Sequence, residues 1–88
     1  MLNNINDIYY IKFALQFTGR QIPELVILFN TQAQRRTWSS MRAYHDQALL
    51  DEFLRRGIDA SAVYDGKTIS LAHPVRYDID DNKLVVIG

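Results

Sequence analysis

The chain has 88 residues, ten basic and ten acidic side chains that cancel, 48% apolar residues and no cysteine. So short a chain can close one hydrophobic core, and a single domain over residues 1–88 is expected. The lack of cysteine excludes disulfides, thiolate metal sites and cysteine nucleophiles. Zero net charge argues against strong nonspecific nucleic-acid binding, which needs cationic surface to release counterions.

The first residues, Met1-Leu2-Asn3-Asn4-Ile5-Asn6-Asp7, have no basic region followed by an apolar run, so a cytoplasmic, soluble protein is expected. The longest strictly apolar run, Leu25 to Phe29, falls well short of the ~20 residues that span a bilayer, and no membrane association is expected. Charge is nonetheless unevenly placed. Residues 1 to 45 carry five basic and two acidic groups, and residues 46 to 88 carry five and eight.

Tyr9, Ile11, Phe13, Leu15 and Phe17 alternate with Tyr10, Lys12, Ala14 and Gln16, and this aromatic, β-branched alternation favours a strand over residues 8–17. A helix capped by Asn6 or Asp7 and stopped at Gly19 is the alternative. Thr18 to Gln21 reads as a turn into Glu24 to Asn30, a segment apolar at every position from Leu25 to Phe29 that reads as a central strand. Thr31 and Gln34 have the spacing of a capping box, and no Pro or Gly follows until Gly57, so a long helix is expected there. Ser39-Ser40 and His45-Asp46 are the points where it can break in two. Its apolar stripe is Leu49, Leu50, Phe53 and Leu54, and Asp51 with Arg55 and Glu52 with Arg56 form acid-first pairs. Gly57 supplies a left-handed stop, with Ile58 folding back on Phe53.

Beyond it, Asp65-Gly66 is a two-residue hairpin signal. From Lys67 to Ile79 the chain alternates, with Ile69, Leu71, Val75, Tyr77 and Ile79 on one face, as a half-buried strand would. Asp80-Asp81-Asn82 reads as a second hairpin turn before Leu84 to Ile87. The expected fold is therefore α+β, an antiparallel sheet of about five strands in the order β-β-α-β-β-β with one long or broken helix packed on one face.

Few residues carry specific chemistry. Arg35, Ser39 and Arg42 share one side of a helical wheel, flanked by Trp38, and together with Arg36 they form a candidate nucleic-acid stripe of guanidinium groups beside an indole. His45 and His73 are the only histidines available as a general base. Asp78, Asp80 and Asn82 alternate as in a calcium loop, but Lys83 stands where that loop needs glycine. Asp7-Ile8-Tyr9 and Phe17-Thr18-Gly19 resemble in outline the paired strand motifs of GIY-YIG nucleases, but the first Gly and the second Tyr are missing and the gap is short. Ile8 and Tyr10 on the outer face of the first strand, with Val85 and Ile87 on the reverse face of the last, form a candidate protein-interaction surface.

The leading expectation is a noncatalytic protein-binding module: an adaptor, inhibitor or assembly factor of the compact kind that phages and mobile elements encode. It is expected to bind a protein partner and to form a homo-oligomer, a dimer in the first instance, through a strand edge or sheet face. No catalytic residue, cofactor or metal ligand is assigned. Nucleic-acid binding through Arg35, Arg36, Trp38 and Arg42 is the first alternative, and a ribonuclease-like hydrolase using His45 or His73 is the second.

Overall fold

The computed structural model describes residues 5–35 and 39–87, and it replaces the expected five-stranded sheet with three helices followed by a two-stranded C-terminal hairpin. The helices are α1 (Ile5–Thr18), α2 (Ile22–Ala33) and α3 (Ser40–Arg55), and the strands are β1 (Val75–Asp78) and β2 (Lys83–Val86). α1 packs along α3, and α2 packs on β1 and more lightly on α3.

Both segments expected to be strands are helices. For residues 8–17 the helical alternative holds: α1 ends at Thr18, just before Gly19, and Asn6 and Asp7 lie inside the helix. Its inner residues Tyr10, Phe13, Ala14 and Phe17 follow a three-to-four-residue period, and Phe17 is fully buried against the core. The residues of the nuclease-like outline thus fall on a helix and its end, where that resemblance requires strands. In α2, Leu25, Phe29 and Gln32 are the buried positions, again at helical spacing. Pro23 sits in its first turn, where a missing N–H costs nothing, and the Glu24 carboxylate accepts the Gln21 N–H at 3.0 Å.

The expected capping box at Thr31 is absent, because Thr31 lies in the last turn of α2 and its hydroxyl bonds the Ile27 carbonyl. Ser39 is the true N-cap of α3, its Oγ accepting the Arg42 N–H at 3.2 Å. α3 then runs unbroken through His45-Asp46. It ends as expected: Gly57 adopts φ +76°, its N–H bonds Leu54 O, and the Ile58 N–H reaches Phe53 O.

Asp65-Gly66 makes a turn, with the Asp65 carboxylate accepting the N–H groups of Lys67 and Thr68, but it joins a single bridge between Tyr64 and Ile69 rather than two strands. Of the long alternation only Val75–Asp78 is strand. Ile69, Leu71, Val75 and Tyr77 do lie against the core, whereas Ile79 enters the turn and is exposed. β1 and β2 pair antiparallel with Val75 opposite Val86 and Asp78 opposite Lys83. Asn82, at φ +52°, closes the hairpin. Its side chain accepts from the Tyr77 hydroxyl and donates to Gly57 O, fastening the turn to the end of α3. The core gathers Leu25 and Phe29 of α2, Leu49, Leu50 and Phe53 of α3, and Val75 and Leu84 of the hairpin. Leu54, expected in that stripe, is exposed.

Candidate functional site

Two arginines on α3 serve as long-range helix caps. Arg42 donates to Gln32 O at 2.7 Å and Arg35 O at 3.3 Å, at the C-terminus of α2, and pairs with Asp46 one turn on. Arg56 donates to Phe17 O, Thr18 O and Arg20 O at the C-terminus of α1, and its Nε bonds Glu52 at 2.6 Å. Helix ends expose unpaired carbonyls and partial negative charge, so a guanidinium held there by a neighbouring carboxylate satisfies both. Hydrogen bonds from Arg55 and then Arg56 hold the Glu52 carboxyl below the ordinary range, although burial pushes it the other way. Arg55 thus pairs with Glu52 and not with Asp51. Asp51 instead accepts from the Tyr10 hydroxyl of α1 and from Gln47. Burial, followed by the hydrogen bond and charge of Asp51, pushes the Tyr10 phenol up to about 12.

The nucleic-acid stripe is altered accordingly. Arg35 is exposed but lies in the connection after α2, off any shared helix with Arg42, and the half-buried Arg42 guanidinium is engaged in capping. Arg36 and Trp38 lie outside the described residues. Arg35 beyond the end of α2, the N-cap Ser39, and Arg42 and His45 of α3 do meet around a hollow of about 250 Å³. His45 of α3 sits where the three helices meet: its ring is T-shaped to those of Phe13 and Phe17 of α1, and its Nδ1 lies 3.1 Å from Gln32 Nε2 of α2 and 3.2 Å from Asp46 Oδ1. His73, whose phase in the Lys67–Ile79 alternation puts it on the expected apolar strand face, is instead exposed in the loop before Pro74. The Asp78 carboxylate accepts the N–H groups of Asp80 and Asp81 within the hairpin turn. Among the described residues no cluster of three His, Asp or Glu side chains could hold a metal ion, and no helix is long and apolar enough to cross a membrane.

The four candidate interaction residues do not form one surface. Ile8 and Tyr10 belong to α1, which packs on α3, while Val85 and Ile87 belong to the hairpin, which packs on α2. Tyr10 faces inward to Asp51, Val85 is half-buried, and Ile8 and Ile87 are exposed. On α1, however, Ile8 is joined by Ile11 and Leu15, which the strand alternation places on the face opposite Ile8. They are 54%, 40% and 71% exposed and lie on the side opposite Phe13 and Phe17. α1 is therefore apolar on both sides.

The fold and its surfaces define a small, mostly helical domain with a C-terminal β-hairpin. No protein-family model, curated protein or solved structure matches the chain.

Proposed function

We propose that this chain is a noncatalytic protein-association module whose working unit is a dimer formed through the outer face of α1. The observation that carries this reading is the exposed stripe Ile8, Ile11 and Leu15. A surface helix ordinarily turns polar residues to solvent, so an apolar stripe left exposed opposite the core-facing side points to a covering surface. The intervals of three and four residues are those of a coiled-coil seam, which packs against a second copy of itself.

Together the three side chains expose on the order of 300 Å² of apolar surface, comparable to the largest patches on monomers and well below the ~800 Å² per partner of a standard interface. The dimer is accordingly a weak one. Burying a whole leucine contributes about 1.5–3 kcal/mol, so the exposed part of Leu15 contributes ~1–2 kcal/mol per subunit and ~2–4 kcal/mol per dimer. Leu15→Lys therefore raises the dimer Kd by at least ~30-fold. Sedimentation velocity over a concentration series tests this, with circular dichroism to establish that the variant remains helical. A wild-type protein that stays monomeric at millimolar concentration, or a folded Leu15→Lys variant that dimerises normally, would overturn the proposal.

A further inference from the structure

The outer edge of β1 is only partly occupied, and its geometry follows from the pairing. The Ile87 N–H bonds Pro74 O, and Arg76 stands opposite Val85. Hydrogen-bonded pairs alternate in an antiparallel ladder, so Arg76 and Asp78 direct their backbone groups at β2 while Val75 and Tyr77 direct theirs away from it. On that outer edge the Asn30 carboxamide of α2 takes the place of a neighbouring strand. Its Oδ1 accepts the Val75 N–H at 2.8 Å and its Nδ2 donates to Val75 O at 2.9 Å. Two residues further on, the outward N–H and C=O of Tyr77 have no partner among the described residues.

α2 is thus pinned to β1 at Asn30, and toward its N-terminus helix and strand edge enclose a cleft of about 370 Å³. It is lined by Ile22, Pro23, Val26 and Ile27 and by residues 75–77 of β1. Ile27 is 64% exposed at this cleft. Arg76 supplies the only charge among its lining residues.

An open strand edge beside an apolar cleft binds extended chain: main-chain bonds hold the segment, and every second side chain enters the pocket. The cation complements an acidic group. We propose that the cleft between α2 and the outer edge of β1 docks an extended acidic peptide segment of a partner protein. The segment adds as a strand at Tyr77, seats one apolar side chain against Val26 and Ile27, and sets a carboxylate beside Arg76. The site is separate from the outer face of α1 and does not require the dimer.

The test is panning of a phage-displayed random octapeptide library on the full chain, followed by fluorescence anisotropy with the most enriched peptide. Enrichment of sequences joining an apolar residue to Asp or Glu is expected, with Kd raised about tenfold or more by Ile27→Lys and by Arg76→Glu. In amide NMR the Tyr77 N–H becomes protected from exchange on binding, as strand addition requires. Leu15→Lys leaves peptide affinity unchanged, so failure of the dimer and failure of this site are told apart. No enrichment, equal binding by the two cleft variants, or protection that appears on α1 instead of at Tyr77 would each overturn the proposal.

Discussion

Replacing Arg56 by alanine tests whether a single side chain holds the C-terminus of α1 to α3. Its partner Glu52 is only 4% exposed, and its guanidinium also reaches three carbonyls at the end of α1. Removing one member of a buried pair costs ~3–5 kcal/mol, because the remaining charge is left without compensation. Arg55 stays bonded to Glu52 and keeps its charge compensated, so the cost is that of the lost charged hydrogen bond and the uncapped carbonyls, about 2–3 kcal/mol. That is a large part of the ~4–13 kcal/mol expected for a chain of this size. In urea, with a slope of ~1–1.5 kcal/mol/M, the midpoint should fall by about 2 M with the slope unchanged. Arg55→Ala supplies the contrast. Arg55 is mostly exposed and bonds only the Glu52 carboxylate, so Arg55→Ala should lower the midpoint less than Arg56→Ala, although its hydrogen bond is the first cause holding the Glu52 carboxyl down and its loss should raise that pKa. A midpoint loss equal in the two variants, or a shift of less than ~0.5 M for Arg56→Ala, would refute the capping argument.

The same carboxylate predicts acid sensitivity. The folded pKa of Glu52 lies below its ordinary value of 4.5, so its contribution is present above that value and is lost as the pH falls through the folded pKa, a slope that urea titrations below pH 4.5 would reveal. Tyr10 behaves in the opposite sense. Its folded pKa is raised, so its contribution is complete below about 10 and is lost as the pH rises through about 12, which phenolate absorbance in wild type against Tyr10→Phe would follow. Asn30→Ala removes both bonds to Val75 and should cost ~1–3 kcal/mol, with faster exchange of the Val75 amide. Gly57→Ala meets no steric obstacle yet must adopt φ +76°, and should lower stability by about 1–2 kcal/mol in thermal or urea unfolding.

What could be read from the chain was what neighbouring residues decide among themselves. The stop at Gly57 and the turn at Asp80-Asp81-Asn82 need only a residue that tolerates positive φ or a side chain that bonds its own backbone, and both are found. Leu49, Leu50 and Phe53 were legible because α3 is polar on its other side. The start of α2 was marked by Pro23 and Glu24, a first-turn signature overlooked beside the apolar run that follows. The roles of Asn30, Arg42 and Arg56 left no local trace. Their partners are carbonyls and amides far along the chain, and only the packing of the helices brings them within reach.

The misreading of α1 has a physical cause that bears on function. A strand pattern arises when apolar residues fill alternate positions, and in α1 that alternation is completed by Ile11 and Leu15, which the core does not use. With polar residues at positions 8, 11 and 15, the remaining Tyr10, Phe13, Ala14 and Phe17 would read as one face of an ordinary amphipathic helix. The three exposed side chains therefore obscure the helical period and contribute little to the fold of the single chain, since substitutions at such exposed positions ordinarily change stability by about 0.5 kcal/mol or less. Apolar residues that neither pack internally nor clarify the local pattern are best accounted for by a surface that covers them. The outer face of α1 therefore carries the association proposal more directly than the hairpin residues Val85 and Ile87.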